Sequence, residues 1–164
     1  MKSYHILDCD KQQKIADSLY GYYVGITANR EPKAFWNHLS RKEIQDYFSI
    51  PNNPCKEWFD SLGLKVRDMS FTIYNEDIGT DIHRDEPPVI AKINFPVLNT
   101  RDTYNVWFDD YANEIDRVEC DKPIVLRSDI LHTVEIGKDA VFPRIQFSFC
   151  FYNEPLQLLK SDTQ

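Results

Sequence analysis

No stretch of the sequence approaches the length of a membrane span, and the N-terminal MKSYHILDCD has no long apolar h-region. Neither a membrane anchor nor a signal peptide is expected. Paired cysteines are also missing. Cys9, Cys55, Cys120 and Cys150 are scattered, with no CxxC, which excludes zinc-finger spacing and a disulfide-stapled mini-protein. Free thiols in a reducing compartment follow, so the expected location is the cytoplasm, with Cys150 packed in the core of FSFCFY. There is no internal repeat, no low-complexity linker and no run of like charge long enough to form a tail. Positive charge is in deficit, with 19 Lys and Arg against 26 Asp and Glu, a net charge of −7 and a sequence pI near 5.0. That balance argues against a nucleic-acid polymer as partner, because phosphate recognition rests on Lys and Arg. Histidine is scarce: His5, His38, His83 and His132 are all there is.

What is present is a chain of 164 residues, 42% hydrophobic and 13% aromatic. This is the size of one domain, residues 1–164, able to bury a core without metal or disulfide staples. The front segment, residues 1–63, leans to helix. Residues 10–23 carry Ile15, Leu19 and Tyr22 at helical spacing, with Asp10 placed to cap them. Ser40 and Glu43 form a capping box that opens a short helix to about Phe48. Asn53-Pro54 starts another, which carries Trp58, Phe59 and Leu62 and stops at Gly63. The segment TANREPKAFWNHL reads as a packed connection, or as a loop over a site.

From Leu64 the texture changes. LKVRDMSFTIY, DIHRD, PPVIAKINFPVL, TYNVWFDD, IDRVEC, PIVLR, ILHTVEI and PRIQFSFCFY make about eight short strands separated by turn signals. Such spacing predicts an all-β barrel or jelly roll over residues 64–153, followed by a tail, 154–164. Prolines 87, 88, 96, 123 and 143 fall at the boundaries of these runs.

His83 and Asp85 are separated by one residue, so on a strand their side chains point the same way. His132, in a later strand, can reach the same point in a rolled sheet. Two histidines and a carboxylate form the facial triad of non-haem Fe(II) oxygenases, which leaves coordination positions open for co-substrate and O2. A bare HxD is a weak signal; the ordered set is stronger. Glu86 could compete as the carboxylate, but alternation turns it away from His83. Arg144 follows His132 and opens the last long strand. Alternation puts Arg144, Gln146 and Ser148 on one face, with Ile145, Phe147 and Phe149 on the other, facing the core. An inward arginine needs an anion, either a structural acid or a ligand carboxylate. Phe71, Ile73 and Trp107 read as core packing that could also keep water from a site. Asp109-Asp110 reads as a solvated turn, or as a contact for a cationic substrate group.

These residues resemble the 2-oxoglutarate/Fe(II) dioxygenase superfamily, over roughly residues 65–153. The resemblance rests on IHRD, KINFPVLNT with TYNVWF after it, LHTVE, and PRIQFSF with its R-x-x-x-S ending. It implies a mainly β double-stranded β-helix with the N-terminal helices packed on it. It also implies Fe(II) held by His83, Asp85 and His132, with 2-oxoglutarate and O2 as co-substrates. Arg144 would hold the distal carboxylate of 2-oxoglutarate, with Ser148 beside it and with Tyr74 (or Thr72) and Asn94 as further neighbours. The implied reaction couples oxidative decarboxylation of 2-oxoglutarate to hydroxylation of a small molecule or a peptide side chain. HRDEPP ties the chain to no one subfamily. Two other readings stand beside it: a cupin-like metalloenzyme without 2-oxoglutarate, and a catalytically inactive jelly-roll binding module.

Overall fold

The computed structural model describes residues 2–33, 35–77 and 79–160. Strands β1 (Tyr4–Ile6) and β2 (Trp36–His38) lie in the front segment. The rest are β3 (Val66–Tyr74), β4 (Ala91–Leu98), β5 (Thr103–Phe108), β6 (Glu114–Glu119), β7 (Ile124–Arg127), β8 (Leu131–Ile136) and β9 (Arg144–Phe151). They form a six-stranded sheet, in the order β1-β7-β4-β9-β3-β2, and a three-stranded sheet, β6-β5-β8. Every pairing is antiparallel. The architecture is mainly β, a jelly roll with helices on its larger sheet, as the resemblance implies.

Three helices cover the outer face of that sheet. α1 (Gln12–Thr27) starts later than the pattern predicts: Lys11 is its N-cap, no side chain caps it, and Asp10 plays no capping part. It also runs past residue 23, because Tyr22, Tyr23 and Ile26 all pack on the core. That burial outweighs Gly21 and Gly25, which cost roughly 1 kcal/mol each in a helix interior. α2 (Arg41–Phe48) has the expected capping box: Glu43 N donates to Ser40 Oγ at 3.1 Å, and Ser40 N to Glu43 Oε1 at 2.9 Å. α3 (Pro54–Ser61) is capped by Asn53, and Gly63 beyond it takes φ 68°.

Alternation along the strands separates two environments. On β9, Ile145, Phe147, Phe149 and Phe151 enter the apolar core beneath the helices. On β4, Ala91, Ile93 and Phe95 do the same; on β3, Phe71 and Ile73. Each fully buried phenylalanine contributes roughly 1.5–3 kcal/mol through burial alone. The opposite faces of these strands look toward the smaller sheet. A second cluster, Trp107 with Ile124 and Leu126, ties the two sheets together, and Trp107 Nε1 donates to Arg127 O at 3.0 Å. Phe71, Ile73 and Trp107 are thus core residues.

Four expectations are corrected. DIHRD is not a strand: only one bridge, His83 to His132, joins it to β8, and Pro87-Pro88 bring no further donors to a ladder. Cys150 is not core; it lies on the Ser148 face of β9 and is half-buried. Pro96 sits inside β4 rather than at its end, at the point where the pairing with β9 shifts register. Residues Leu156–Leu159 form a 3-10 turn whose Leu159 is buried, so this part of the tail packs on the sheet; residues 161–164 lie outside the described residues. No helix among the described residues is long and apolar enough to cross a membrane.

Candidate metal centre

His132 lies on β8, directly across the bridge from His83. The two main chains exchange both hydrogen bonds, His83 N to His132 O at 3.0 Å and the reverse at 2.8 Å. This places the two imidazoles 4.5 Å apart, centroid to centroid. Asp85, two residues along, is anchored by its own N–H to Ser128 O at 2.9 Å. The i, i+2 logic therefore survives in an extended segment that is not a ladder. One nitrogen from each imidazole and one oxygen of Asp85 all lie within 4.8 Å of one another. Asp85 Oδ1 is 3.5 Å from His83 Nε2 and 3.6 Å from His132 Nε2.

Each imidazole is oriented by its other nitrogen. His83 Nδ1 is 2.8 Å from Asp81 O, and His132 Nδ1 is 2.7 Å from Ile130 O. A carbonyl only accepts, so Nδ1 carries the proton and Nε2 presents its lone pair to the centre. Burial, then the nearby Lys92 ammonium, push the His132 pKa down to about 4, so it is neutral at working pH. The hydrogen bond to Asp85 raises that of His83, against a smaller desolvation effect. Burial opposes charge on Asp85, but His83 and Lys92 outweigh it and hold the carboxyl well below the usual range. Two neutral imidazoles and one ionised carboxylate are the donor set that a divalent transition metal needs.

The trio borders an open cavity of about 570 Å³ between the sheets. Its walls are the inward faces named above: Ser70, Thr72 and Tyr74 of β3, Lys92 and Asn94 of β4, and Gln146 and Ser148 of β9. Trp36 and His38 of β2 form one side of the opening, so the segment read as a connection supplies an edge strand to the site. Glu86 also borders the cavity but stands outside the trio. Arg84, between the two ligands in sequence, pairs instead with Asp110, while Asp109 accepts from Tyr111 N and Asn113 N and closes the turn.

Arg144 opens β9 and is fully buried. Its Nε donates to Thr103 Oγ1 at 3.0 Å and its Nη2 to Gln146 Oε1 at 2.9 Å. The guanidinium lies 5.3 Å from the centre of the Tyr74 ring. Nη1 has no partner, and among the described residues no carboxylate pairs with this arginine. An unmatched buried guanidinium is costly. Thr72 Oγ1, across from Gln146 in register, is the other buried side-chain atom left unpaired among the described residues. Burial raises the Tyr74 phenol above its ordinary value, so it stays an O–H donor. Ser148 Oγ donates to Asn94 Oδ1 at 2.7 Å, and both border the cavity.

Lys92, Gln146 and Thr103 were not singled out from the sequence as site residues. The signal was available for Lys92: alternation in AKINF turns it inward with Asn94, and an inward ammonium requires an acid.

The sequence matches no protein-family model and no curated protein. Solved structures share its fold. A prolyl-4-hydroxylase from Pseudomonas putida superposes with a TM-score of 0.56 at 12% identity, covering 91% of this chain and 91% of that one. A prolyl hydroxylase from Trichoplax adhaerens, in complex with a hypoxia inducible factor peptide fragment, gives 0.57 at 9% identity, with 98% of this chain and 88% of that one covered. A non-haem monooxygenase in complex with nickel gives 0.54 at 12% identity, over 90% and 72%. At these identities the likeness is one of fold. Together with the strand topology, it gives this chain the jelly-roll fold that these hydroxylases and the monooxygenase share.

Proposed function

We propose that the chain is a non-haem Fe(II) oxygenase that uses 2-oxoglutarate as co-substrate and hydroxylates a small molecule or a peptide side chain. The observation that carries this reading is the unpaired Nη1 of Arg144 at a buried position beside cavity-lining residues. A metal site without 2-oxoglutarate gives that charge no partner, and an inactive binding module gives no reason for a complete donor trio.

His83, Asp85 and His132 would hold Fe(II) through Nε2, one carboxylate oxygen and Nε2. Bound there, the iron would supply the activation of O2 that couples decarboxylation of 2-oxoglutarate to succinate with hydroxylation of the substrate. The chain's own work is binding and orientation. Arg144 meets the distal carboxylate of 2-oxoglutarate with Nη1, held in place by Thr103 and Gln146. Tyr74 packs against the guanidinium and limits its motion, while Ser148 and Asn94 present a polar wall.

Anaerobic titration with Fe(II) and 2-oxoglutarate tests this through the charge-transfer absorption of the chelate. The band is expected in the wild-type protein and absent in His132→Ala, which remains folded. Arg144→Ala should need about ten- to a hundredfold more 2-oxoglutarate, the equivalent of about 1.5–3 kcal/mol for a charge-assisted hydrogen bond. Its requirement for iron should be unchanged; equal loss of both would make Arg144 structural. The first search for the prime substrate is succinate release across a panel of amino acids, peptides and small metabolites.

A further inference from the structure

Lys92 stands beside the trio with no part in the scheme above. Alternation in β4 turns it away from Ala91, Ile93 and Phe95 and toward the cavity. Its side chain is 17% exposed, and its Nζ donates to Asp85 Oδ2. Which oxygen it takes is the point. Asp85 Oδ1 is the atom near both Nε2 nitrogens, at 3.5 and 3.6 Å. Lys92 holds the other oxygen and makes no hydrogen bond to either imidazole. The ammonium therefore tethers the carboxylate from outside and does not stand in the place of an ion.

A carboxylate can give a cation one oxygen or two. Two imidazoles and one carboxylate oxygen occupy one face of a six-coordinate ion and leave three positions open. With both oxygens bound, two positions remain. Chelation by 2-oxoglutarate uses two, and O2 requires a third. Resting on the proposed metal reading, we infer that Lys92 is a positioning residue that holds Asp85 to one-oxygen ligation and so preserves the third open position. The arrangement carries a cost, because a fixed cation near the site repels a metal ion. A chain selected only to bind metal tightly has no use for it.

The test counts metal-bound water with Mn(II) as the probe, read from the longitudinal relaxation of water protons. Lys92→Met keeps the unbranched stem of the side chain as far as Cε and removes the ammonium. It should bind Mn(II) at least as tightly as the wild type, yet show only about two-thirds of its relaxation enhancement, two waters in place of three. Adding 2-oxoglutarate should leave the wild type with about one-third of its enhancement and the Met variant with almost none. Lys92→Arg, which can still hold Oδ2, should behave as the wild type, and circular dichroism verifies that both variants are folded. A Met variant with wild-type relaxation, or an Arg variant that resembles Met, overturns the role of Lys92 and leaves the metal reading intact. A wild-type chain that binds no Mn(II) overturns both. If 2-oxoglutarate changes nothing, its use as co-substrate falls, and the comparison with Mn(II) alone still decides the part of Lys92.

Discussion

His83 and His132 differ in exposure and in the charges around them, and this sets how protons compete with metal. Ligation needs both imidazoles neutral. His132, with its pKa pushed down to about 4, already meets that need in mild acid. His83 is raised above its ordinary value of 6.5 by Asp85 and so holds a proton there. Asp85 stays ionised throughout. As pH falls below the His83 pKa, Mn(II) affinity should drop about tenfold per unit, the slope of one proton. A second proton enters only near pH 4. Calorimetric titration between pH 5 and 8 measures the slope; a hundredfold loss per unit in that range would place His132 at an ordinary pKa and contradict its environment.

At the scale of elements, β9 carries most of the design. Phe147 faces the helices and is fully buried, while Ser148 faces the cavity and bonds Asn94. Phe147→Ala should cost about 3–5 kcal/mol of stability in urea unfolding, through lost burial and the cavity left behind. Ser148→Ala should cost about 1 kcal/mol. Similar costs at the two positions would mean that the faces are not separated as described. This strand is legible from its sequence, since four apolar residues, Ile145, Phe147, Phe149 and Phe151, on alternate positions leave little choice of face. The same pattern read DIHRD as a strand, and there it overreached. Local alternation puts His83 and Asp85 on one side, but a ladder needs repeated pairing, and one bridge is all that β8 offers. β1 and β2, at three residues each, are too short to show a period of two. Arg144 is legible as an inward charge; the unpaired Nη1 is not, because the contacts of the guanidinium depend on Thr103 of β5 and on Tyr74 of β3. Lys92 is legible as an inward charge by the same alternation, but its pairing with Asp85 depends on how β4 sits against the HRD segment.

Across the whole molecule, Trp107 Nε1 to Arg127 O and Arg144 Nε to Thr103 Oγ1, both at 3.0 Å, join the two sheets. Between β3 and β4 the described chain is held by the His83–His132 bridge, by Asp85 N to Ser128 O and Ser128 N to Ile90 O, both at 2.9 Å, and by Thr80, whose N–H reaches Val134 O at 3.3 Å and whose Oγ1 accepts from Val134 N at 2.9 Å. A metal bound by all three ligands would clasp this segment to β8. Amide hydrogen exchange at His83 and Asp85 should slow about a hundredfold at a Mn(II) concentration about a hundred times its dissociation constant. Unaltered exchange at His83 with Mn(II) bound would place the ion elsewhere.

The two-faced strands of the larger sheet also divide what mutation can reach. Positions 70, 94, 148 and 150 look into the cavity and stand apart from the residues that hold the helices on. A combinatorial library at these four sites can reshape the cavity wall while the scaffold keeps its stability reserve, so most members should be soluble. New chemistry on this chain is then a matter of sampling one face of a sheet, and the other face supplies the robustness that makes the sampling tolerable.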